Sequence, residues 1–545
     1  MALEDHRVVH QLAFVCDCLG LAALKAFDLV QQLLGLFAVL LANVVVKGLN
    51  HQVDALHFGQ VEPQQQIEHL VGTLVVLAQQ IGVQAQVVAV IARVQHAGEF
   101  AIEQTIELVP LLRSHKLLQA LKRGAFFDAK EYRHGDANND EVLESYEKKP
   151  LSIYIHIPFC ESRCIYCGFY STTSLSMRDD YVDALCKEMK MRPFKTATDY
   201  DYSLRTIYLG GGTPSQLTHD QLIHLFEGIK KAYFPPDHPE EEFSKMEITM
   251  ECNPDDVSEE FCKTLLQLPV NRVSMGAQTF SDHRLGFLHR RHKAADVKAA
   301  IKRLRGIDIH NISIDLMFGF PGETLEDWKK DIDEAIKLGV EHISAYSLMY
   351  EEGTTLYRML EQGKIEEIDE ETSRQMYELL ITQLTSAGYE HYEISNFAKP
   401  GYRSRHNSSY WHEVPYIGIG AAAHSYRRET KRGEENKIEA TRSWNVDNIR
   451  EYIASIQKGE LPSETESLDL STRYNDLITT ALRTSDGIDI EKMEKEFGDQ
   501  LASQMMQEAE KHIHRGLMKI SNGKLSLTHE GLYISDDIMS DFMIV

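Results

Sequence analysis

The residues of this chain best equipped for chemistry are three cysteines within one eight-residue window, Cys160, Cys164 and Cys167. Spaced as C-x3-C-x2-C in a single loop, three thiolates can wrap one face of a cubane iron–sulfur cluster and leave its fourth iron without a protein ligand. Such an iron can chelate the amino and carboxylate groups of S-adenosylmethionine, and an electron from the reduced cluster can then cleave the sulfonium to give a deoxyadenosyl radical. A structural zinc site is the competing reading, but zinc normally takes four protein ligands, and no fourth Cys or matching Cys/His pair lies nearby in the sequence. The expectation is a [4Fe–4S] cluster that binds S-adenosylmethionine.

The remaining cysteines point the same way. There are eight in all, and three crowd together in a long chain without a convincing export signal, which reads as cytosolic metal chemistry and not as a disulfide framework. Cys186 and Cys262 fall in helical patterns and Cys252 in a strand, where inert buried thiols are the common case.

A second set of candidates lies where strand-like runs end. Gly210-Gly211-Gly212-Thr213-Pro214 closes one run, and its glycines would let the backbone approach a ligand, although a Gly-rich turn is often only a turn. Glu251, Gln278 and Asp315 fall near the ends of later runs, opposite in phase to apolar neighbours such as Met250 and Ile314. They should face one interior mouth, where carboxylates can accept a ligand's ammonium and ribose hydroxyls. Arg290, just before the helical pattern KAADVKAAIKRL, can supply a counter-charge to its carboxylate. Taken singly, each reads equally well as a solvated or helix-capping group.

The elements that must position these residues begin at residue 151. Short strand-like runs alternate there with longer amphipathic helices, the pattern of a parallel sheet built from βα units. Six runs stand out: 152–158, 205–210, 246–252, 271–276, 311–318 and 342–349, with helical patterns such as DDYVDALCKEMKM and EDWKKDIDEAIKLG between them. Six βα units can curl into an open barrel whose strand ends converge on one site. The fold class expected is α/β, a partial (β/α)6 barrel over 146–380.

After about residue 380 a loop-rich block, YEISNFAKPGYRSRHNSSYWHEVPYIGIGAAAHSY, interrupts this regularity, so 381–465 forms its own region. Residues 466–545 give helix, short helix, helix and a hairpin turned by Asn522-Gly523, a helical, winged-helix-like domain. The acidic residues at its end favour a protein-contact or lid role over DNA reading. Residues 1–145 are an unassigned extension: the first 120 hold no Tyr, no Trp and only Lys25, Lys47 and Lys116, and their periodicity is poor. Two readings compete for that stretch, an extra helical domain and a translated upstream region foreign to the natural protein, and the poor periodicity tips the balance slightly to the second.

A formal net charge of -25 repels polyphosphate and anionic lipid surfaces, which makes nucleic acid a poor partner. The most apolar stretch, Leu33 to Val46, is too short to cross a bilayer, so no transmembrane segment and a cytoplasmic protein are expected.

The ordered segments YIHIPFCESRCIYCGFYS, YLGGGTPSQL, EITMECNPDD, RVSMGAQTF, LHRRH, NISIDLMFGFPGET and YSLMYEEGTTLY resemble the radical-SAM branch that contains oxygen-independent coproporphyrinogen III dehydrogenase and the HemW-type haem chaperones. The resemblance covers about 150 to 540. It implies that Tyr154, Tyr166, Gly211, Gly212, Thr213, Glu251, Gln278, Arg290 and Asp315 contact S-adenosylmethionine beside the cluster cysteines. Two features favour the chaperone branch: the dehydrogenases typically carry a further cysteine two residues past the cluster motif, where this chain has Gly168-Phe169, and His406 to Trp411 matches an HNxxYW motif associated with haem.

By that resemblance a neutral His406 imidazole would ligate haem iron, with Tyr410 and Trp411 covering the macrocycle and Arg403 or Arg405 pairing with propionates. His424 ranks second, since the glycine and alanine around it suggest close packing with the imidazole in a hydrogen-bond role. The function implied is a haem chaperone that passes haem to an acceptor protein, for instance of the respiratory chain, with a homodimer as a possible assembly. The alternative is oxidative decarboxylation of coproporphyrinogen III to protoporphyrinogen IX. No catalytic residue is assigned.

Overall fold

In the computed structural model the described residues are 149–192, 202–234, 243, 245–430 and 438–544. The expectations for residues 1–145 lie outside them.

The six expected runs are six strands: β1 (Lys149–Ile157), β2 (Tyr202–Gly211), β3 (Glu247–Cys252), β4 (Arg272–Gln278), β5 (Asn311–Phe318) and β6 (His342–Ser347). Each pairs in parallel with the next. Helices run back between them, among them Arg178–Met191, His219–Tyr233, Ala294–Arg305 and Leu325–Leu338. Their ends are set locally. Thr218 and Gln221 form a capping box, Thr324 accepts from the Asp327 amide, and Leu325–Leu338 stops where Gly339 turns left-handed at φ 63°.

Alternation along the strands decides what fills each side of the sheet. Ile153, Ile155, Ile157, Ile207, Leu209, Ile248, Met250, Val273, Met275, Ile312, Ile314 and Ile343 belong to one continuous core with the helices. The intervening positions carry Ser152, Thr206, Thr249, Arg272, Ser274, Ser313, His342 and Ser344, all buried and polar. With a side-chain period of two, one phase packs on the helices and the other lines a polar barrel interior. That interior is what the site is built from.

The sheet is larger than six strands. The block 381–465, expected as loop-rich, supplies β7 (Glu390–Glu393) and β8 (Asn396–Ala398) beyond β6. It also supplies β9 (Tyr416–Ile419), β10 (His424–Thr430) and β11 (Ile438–Asn445) beyond β1, and β12 (Ser463–Leu468) runs across the expected boundary at 465. The order is β12-β11-β10-β9-β1-β2-β3-β4-β5-β6-β8-β7. Strands as short as β7 to β9 show too little alternation to be read from periodicity, and only pairing defines them.

The C-terminal helices Leu470–Ala481, Ile490–Phe497 and Asp499–His514 pack with a small sheet, β13 (Ile488–Asp489), β14 (Met518–Ser521) and β15 (Lys524–Leu527), in the order β13-β15-β14. Asn522 and Gly523 turn the β14–β15 hairpin at φ 52° and 74°, the two positive values a tight primed turn requires. Tyr474, Ile478, Met505, Leu525 and Phe542 belong to a second buried cluster. Among the described residues no helix is long and apolar enough to cross a membrane.

Candidate functional site

Cys160, Cys164 and Cys167 lie partly exposed on the loop that leaves β1. The loop is fastened at both ends: the Cys160 amide donates to the Thr172 carbonyl at 2.9 Å, and the Thr172 amide to Pro158 at 2.7 Å. Arg290 presents its guanidinium 3.5 Å from Cys164 Sγ, and Thr213 Oγ1 lies 3.6 Å from Cys160 Sγ. Burial raises the thiol pKa values of Cys160 and Cys167, so thiolates here need a cation to sustain them. Cys186 and Cys252 are buried elsewhere and donate to the His224 and Met250 carbonyls.

The other expected residues surround that loop. Arg290 also donates to Asn253 Oδ1 at 2.8 Å and to the Gly276 carbonyl at 2.7 Å, which fixes it across the ends of β3 and β4. Tyr166 is half-buried in the field of Arg290 and Cys164. A bulge between Gly276 and Gln278 puts Gln278 at φ 65° and brings its amide beside Arg290 over Gly276. The glycines of the Gly210–Gly212 run serve packing within the chain. A Cβ on Gly211, at φ 111°, would stand 2.4 Å from the His156 ring, and one on Gly212 2.7 Å from Pro158.

Glu251 accepts from Tyr208 Oη at 2.7 Å and from the Gly211 amide at 3.1 Å. Burial lifts its pKa to about 7 despite those bonds, with the nearby Asp315 adding to the rise. Burial likewise lifts Asp315 to about 6, against Arg272, Ser344 and Ser274. Two like-charged carboxyls held this high in one polar interior favour a bound cation such as an ammonium. The expected residues from Tyr154 to Asp315 thus converge on one barrel mouth.

His406 lies beside that mouth, its ring 6.4 Å from that of Tyr154. It sits on a short helix, Arg405–Trp411, rather than in a loop, and the Glu247 carboxylate accepts from the Arg405 and His406 amides at 3.0 Å each. The imidazole is 1% exposed and stacks on Tyr208 at 4.9 Å. Nδ1 lies 2.7 Å from Thr206 Oγ1, and Nε2 lies 2.8 Å from Tyr410 Oη. A row of hydroxyls fixes the direction. Thr206 donates to Ser152, Ser152 to Ser409, and Ser409 to the Arg405 carbonyl, which can only accept. Thr206 must therefore accept the Nδ1 proton, and Nε2 accepts from Tyr410. Burial depresses the His406 pKa to about 3. Both ring nitrogens of His406 are thus engaged within the chain.

Beside the cluster loop lies a cavity of about 500 Å³, lined by Tyr154, His156, Tyr170, Tyr410, Tyr416 and His424, with Phe169 and Asp447 at its edge. His156 bonds Tyr154 Oη at 3.0 Å through Nδ1 and the Tyr170 carbonyl at 3.1 Å through Nε2. Sequence reasoning passed over His156, Tyr208 and Arg272, although each shares the interior phase of its strand. Arg272, 1% exposed, supplies the positive charge beneath Glu251 and Asp315.

The donor set fits a cluster better than a single zinc ion. Among the described residues the one trio of His, Cys, Asp or Glu ligand atoms lying mutually within 4.8 Å is Glu508, His512 and Asp541, so the three sulfurs are spread more widely than that. A tetrahedral zinc with Zn–S of about 2.3 Å would draw them closer. Arg290 beside Cys164 and the carboxyl pair beyond it provide complementary charge for a zwitterionic amino-acid group at the open face.

The profile of the radical SAM superfamily matches residues 154–335, and that of the HemN C-terminal domain matches 468–534. The chain is 36% identical over 395 residues to the heme chaperone HemW of Bacillus subtilis (strain 168), spanning 72% of this chain and 99% of that protein. To the heme chaperone HemW of Lactococcus lactis subsp. lactis (strain IL1403) it is 31% identical over 399 residues, 73% of this chain and 98% of that one. Among solved structures it is similar in fold to coproporphyrinogen III oxidase (HemN) from Escherichia coli, with a TM-score of 0.59 at 20% identity, covering 72% of this chain and 90% of that one.

Proposed function

This chain belongs to the HemW family of radical-SAM proteins, and we propose from that premise that it binds haem and passes it to an acceptor protein. The observation that carries the reading is the match to haem chaperones over nearly their whole length. Cys160, Cys164 and Cys167 hold a [4Fe–4S] cluster in this reading, with Tyr154, Tyr166, Gly211, Gly212, Thr213, Glu251, Gln278, Arg290 and Asp315 around S-adenosylmethionine. When bound, that pair supplies one-electron chemistry or a structural and regulatory centre. Arg290 offsets thiolate and carboxylate charge, Glu251 and Asp315 attract the ammonium, and the fastened loop holds the cysteines in place.

The lining of the cavity favours this over decarboxylation. Coproporphyrinogen III carries propionates around its whole rim, whereas haem carries them on one edge that can stay in water. The cavity is walled by aromatic rings, holds Asp447 and includes no Lys or Arg in its lining. A ring with acid groups on every side would meet repulsion there. The acceptor is a protein that takes haem as its cofactor, and respiratory proteins of the cytoplasmic membrane face are the first to test.

Anaerobic reconstitution followed by haem titration and a coproporphyrinogen III assay on the same sample tests the reading. Saturable haem binding without decarboxylation is expected. Decarboxylation above background defeats it.

A further inference from the structure

The haem-binding reading leaves open which imidazole meets the iron: His156 and His424 line the cavity, and His406 bonds the lining residue Tyr410. An axial ligand must offer a neutral ring nitrogen whose lone pair is free and faces a space able to take the macrocycle. His156 lines the cavity, but its two nitrogens are engaged by Tyr154 and the Tyr170 carbonyl. His406 is buried, and its nitrogens are engaged by Thr206 and Tyr410. His424 differs from both: it lines the cavity, it is exposed, and among the described residues its ring takes part in no hydrogen bond.

The surrounding chain holds that ring still. His424 opens β10 directly opposite Trp444 of β11, and the two rings stack at 6.1 Å. The glycines of the IGIG segment make the placement possible. A Cβ on Gly418 would lie 2.0 Å from the His424 carbonyl oxygen, and one on Gly420, at φ 110°, 2.6 Å from Tyr181 Oη. The close packing expected there is real, but it fixes the backbone and leaves the imidazole open. Burial and the nearby Arg442 lower the His424 pKa, so the ring is neutral at physiological pH. Tyr410 and Tyr416 wall the same cavity, and Phe169 stands 73% exposed at its rim, a large apolar side chain left in water unless a flat ligand covers it.

We propose that His424 is the axial ligand to haem iron in this cavity, and that His406 positions Tyr410 as one of its walls. This rests on the haem-binding reading above. The bond that forms joins iron to a ring nitrogen in place of water, and no proton is released because the ring enters neutral. The HNSSYW segment then contributes through Tyr410, which lines the cavity and whose hydroxyl is bonded to His406.

The test uses the full chain and haem alone, read by absorbance and by the spin state of the iron. His424→Ala should weaken haem binding about tenfold or more and remove the imidazole-ligated spectrum, while the reconstituted cluster keeps its absorbance. His424→Gly should regain that spectrum when free imidazole is added, which separates lost ligation from lost folding. His406→Gln should retain imidazole ligation. If His424→Ala binds haem with unchanged affinity and spectrum, or if only His406→Gln loses the imidazole signature, the assignment to His424 is wrong while the chaperone reading stands. If the unaltered chain takes up no haem, the chaperone reading itself fails.

Discussion

At the scale of single residues, the polar phase of the barrel makes chemistry out of burial. Glu251 sits among Tyr208, Gly211 and Asp315 with its pKa raised to about 7 from an ordinary 4.5. A carboxyl with a raised folded pKa keeps a proton that the unfolded chain gives up. Its cost is therefore absent below about 4.5 and complete above about 7. In the cofactor-free protein, Glu251→Gln should match the parent at pH 5 and exceed it at pH 8 by on the order of 2 kcal/mol in urea unfolding. A variant less stable than the parent at pH 8 contradicts the account. At the cluster loop, Cys164→Ala should remove the iron–sulfur absorbance after anaerobic reconstitution and leave haem affinity within about twofold, because the cavity lining does not include it. A parallel loss of haem would mean the two sites are one.

At the scale of elements, the helix Arg405–Trp411 shows how a short segment is pinned. Ser404 caps it, and Glu247 at the start of β3 takes two of its first amides. Seven residues are too few for a helix to persist by propensity, so this clamp and the stack on Tyr208 hold it. Glu247→Ala would leave the buried His406 amide and the partly buried Arg405 amide without acceptors, at a cost of about 2 kcal/mol. Amide exchange across 405–411 should accelerate before the rest of the barrel is affected, and unchanged protection there would show that the clamp contributes little.

At the scale of the whole described region, the sheet is closed over long sequence distances. Glu188, in the helix Arg178–Met191, accepts from the Gly420 amide and Asn445 Nδ2 at 2.8 Å each and from Tyr452 Oη, and pairs with Arg192 at 2.9 Å. One carboxylate with no exposure thereby ties the first βα unit to the strands that carry His424. Removing one partner from a buried charged network commonly costs about 3–5 kcal/mol. Glu188→Ala should lose that much stability and weaken haem binding although Glu188 lies outside the cavity lining. Unaltered haem affinity in a folded Glu188→Ala protein would show that the tie does not position the site.

The sequence by itself determined the six parallel strands, their helices and the winged C-terminal hairpin, because alternation, caps and the Asn522-Gly523 turn are local signals that outlast any particular packing. It also made the cluster loop and the polar strand ends legible, since spacing and phase put Cys160, Glu251 and Asp315 at one end of the sheet. Tertiary structure decided the rest. Strands β7 to β9 are only three or four residues long, and β8 and β9 join the sheet by pairing with β6 and β1, which periodicity in so short a stretch cannot encode. The same holds for the histidines: His406 and His424 both stand as single imidazoles in the 381–465 block, and only packing commits the nitrogens of one to Thr206 and Tyr410 and leaves the other open to a cavity.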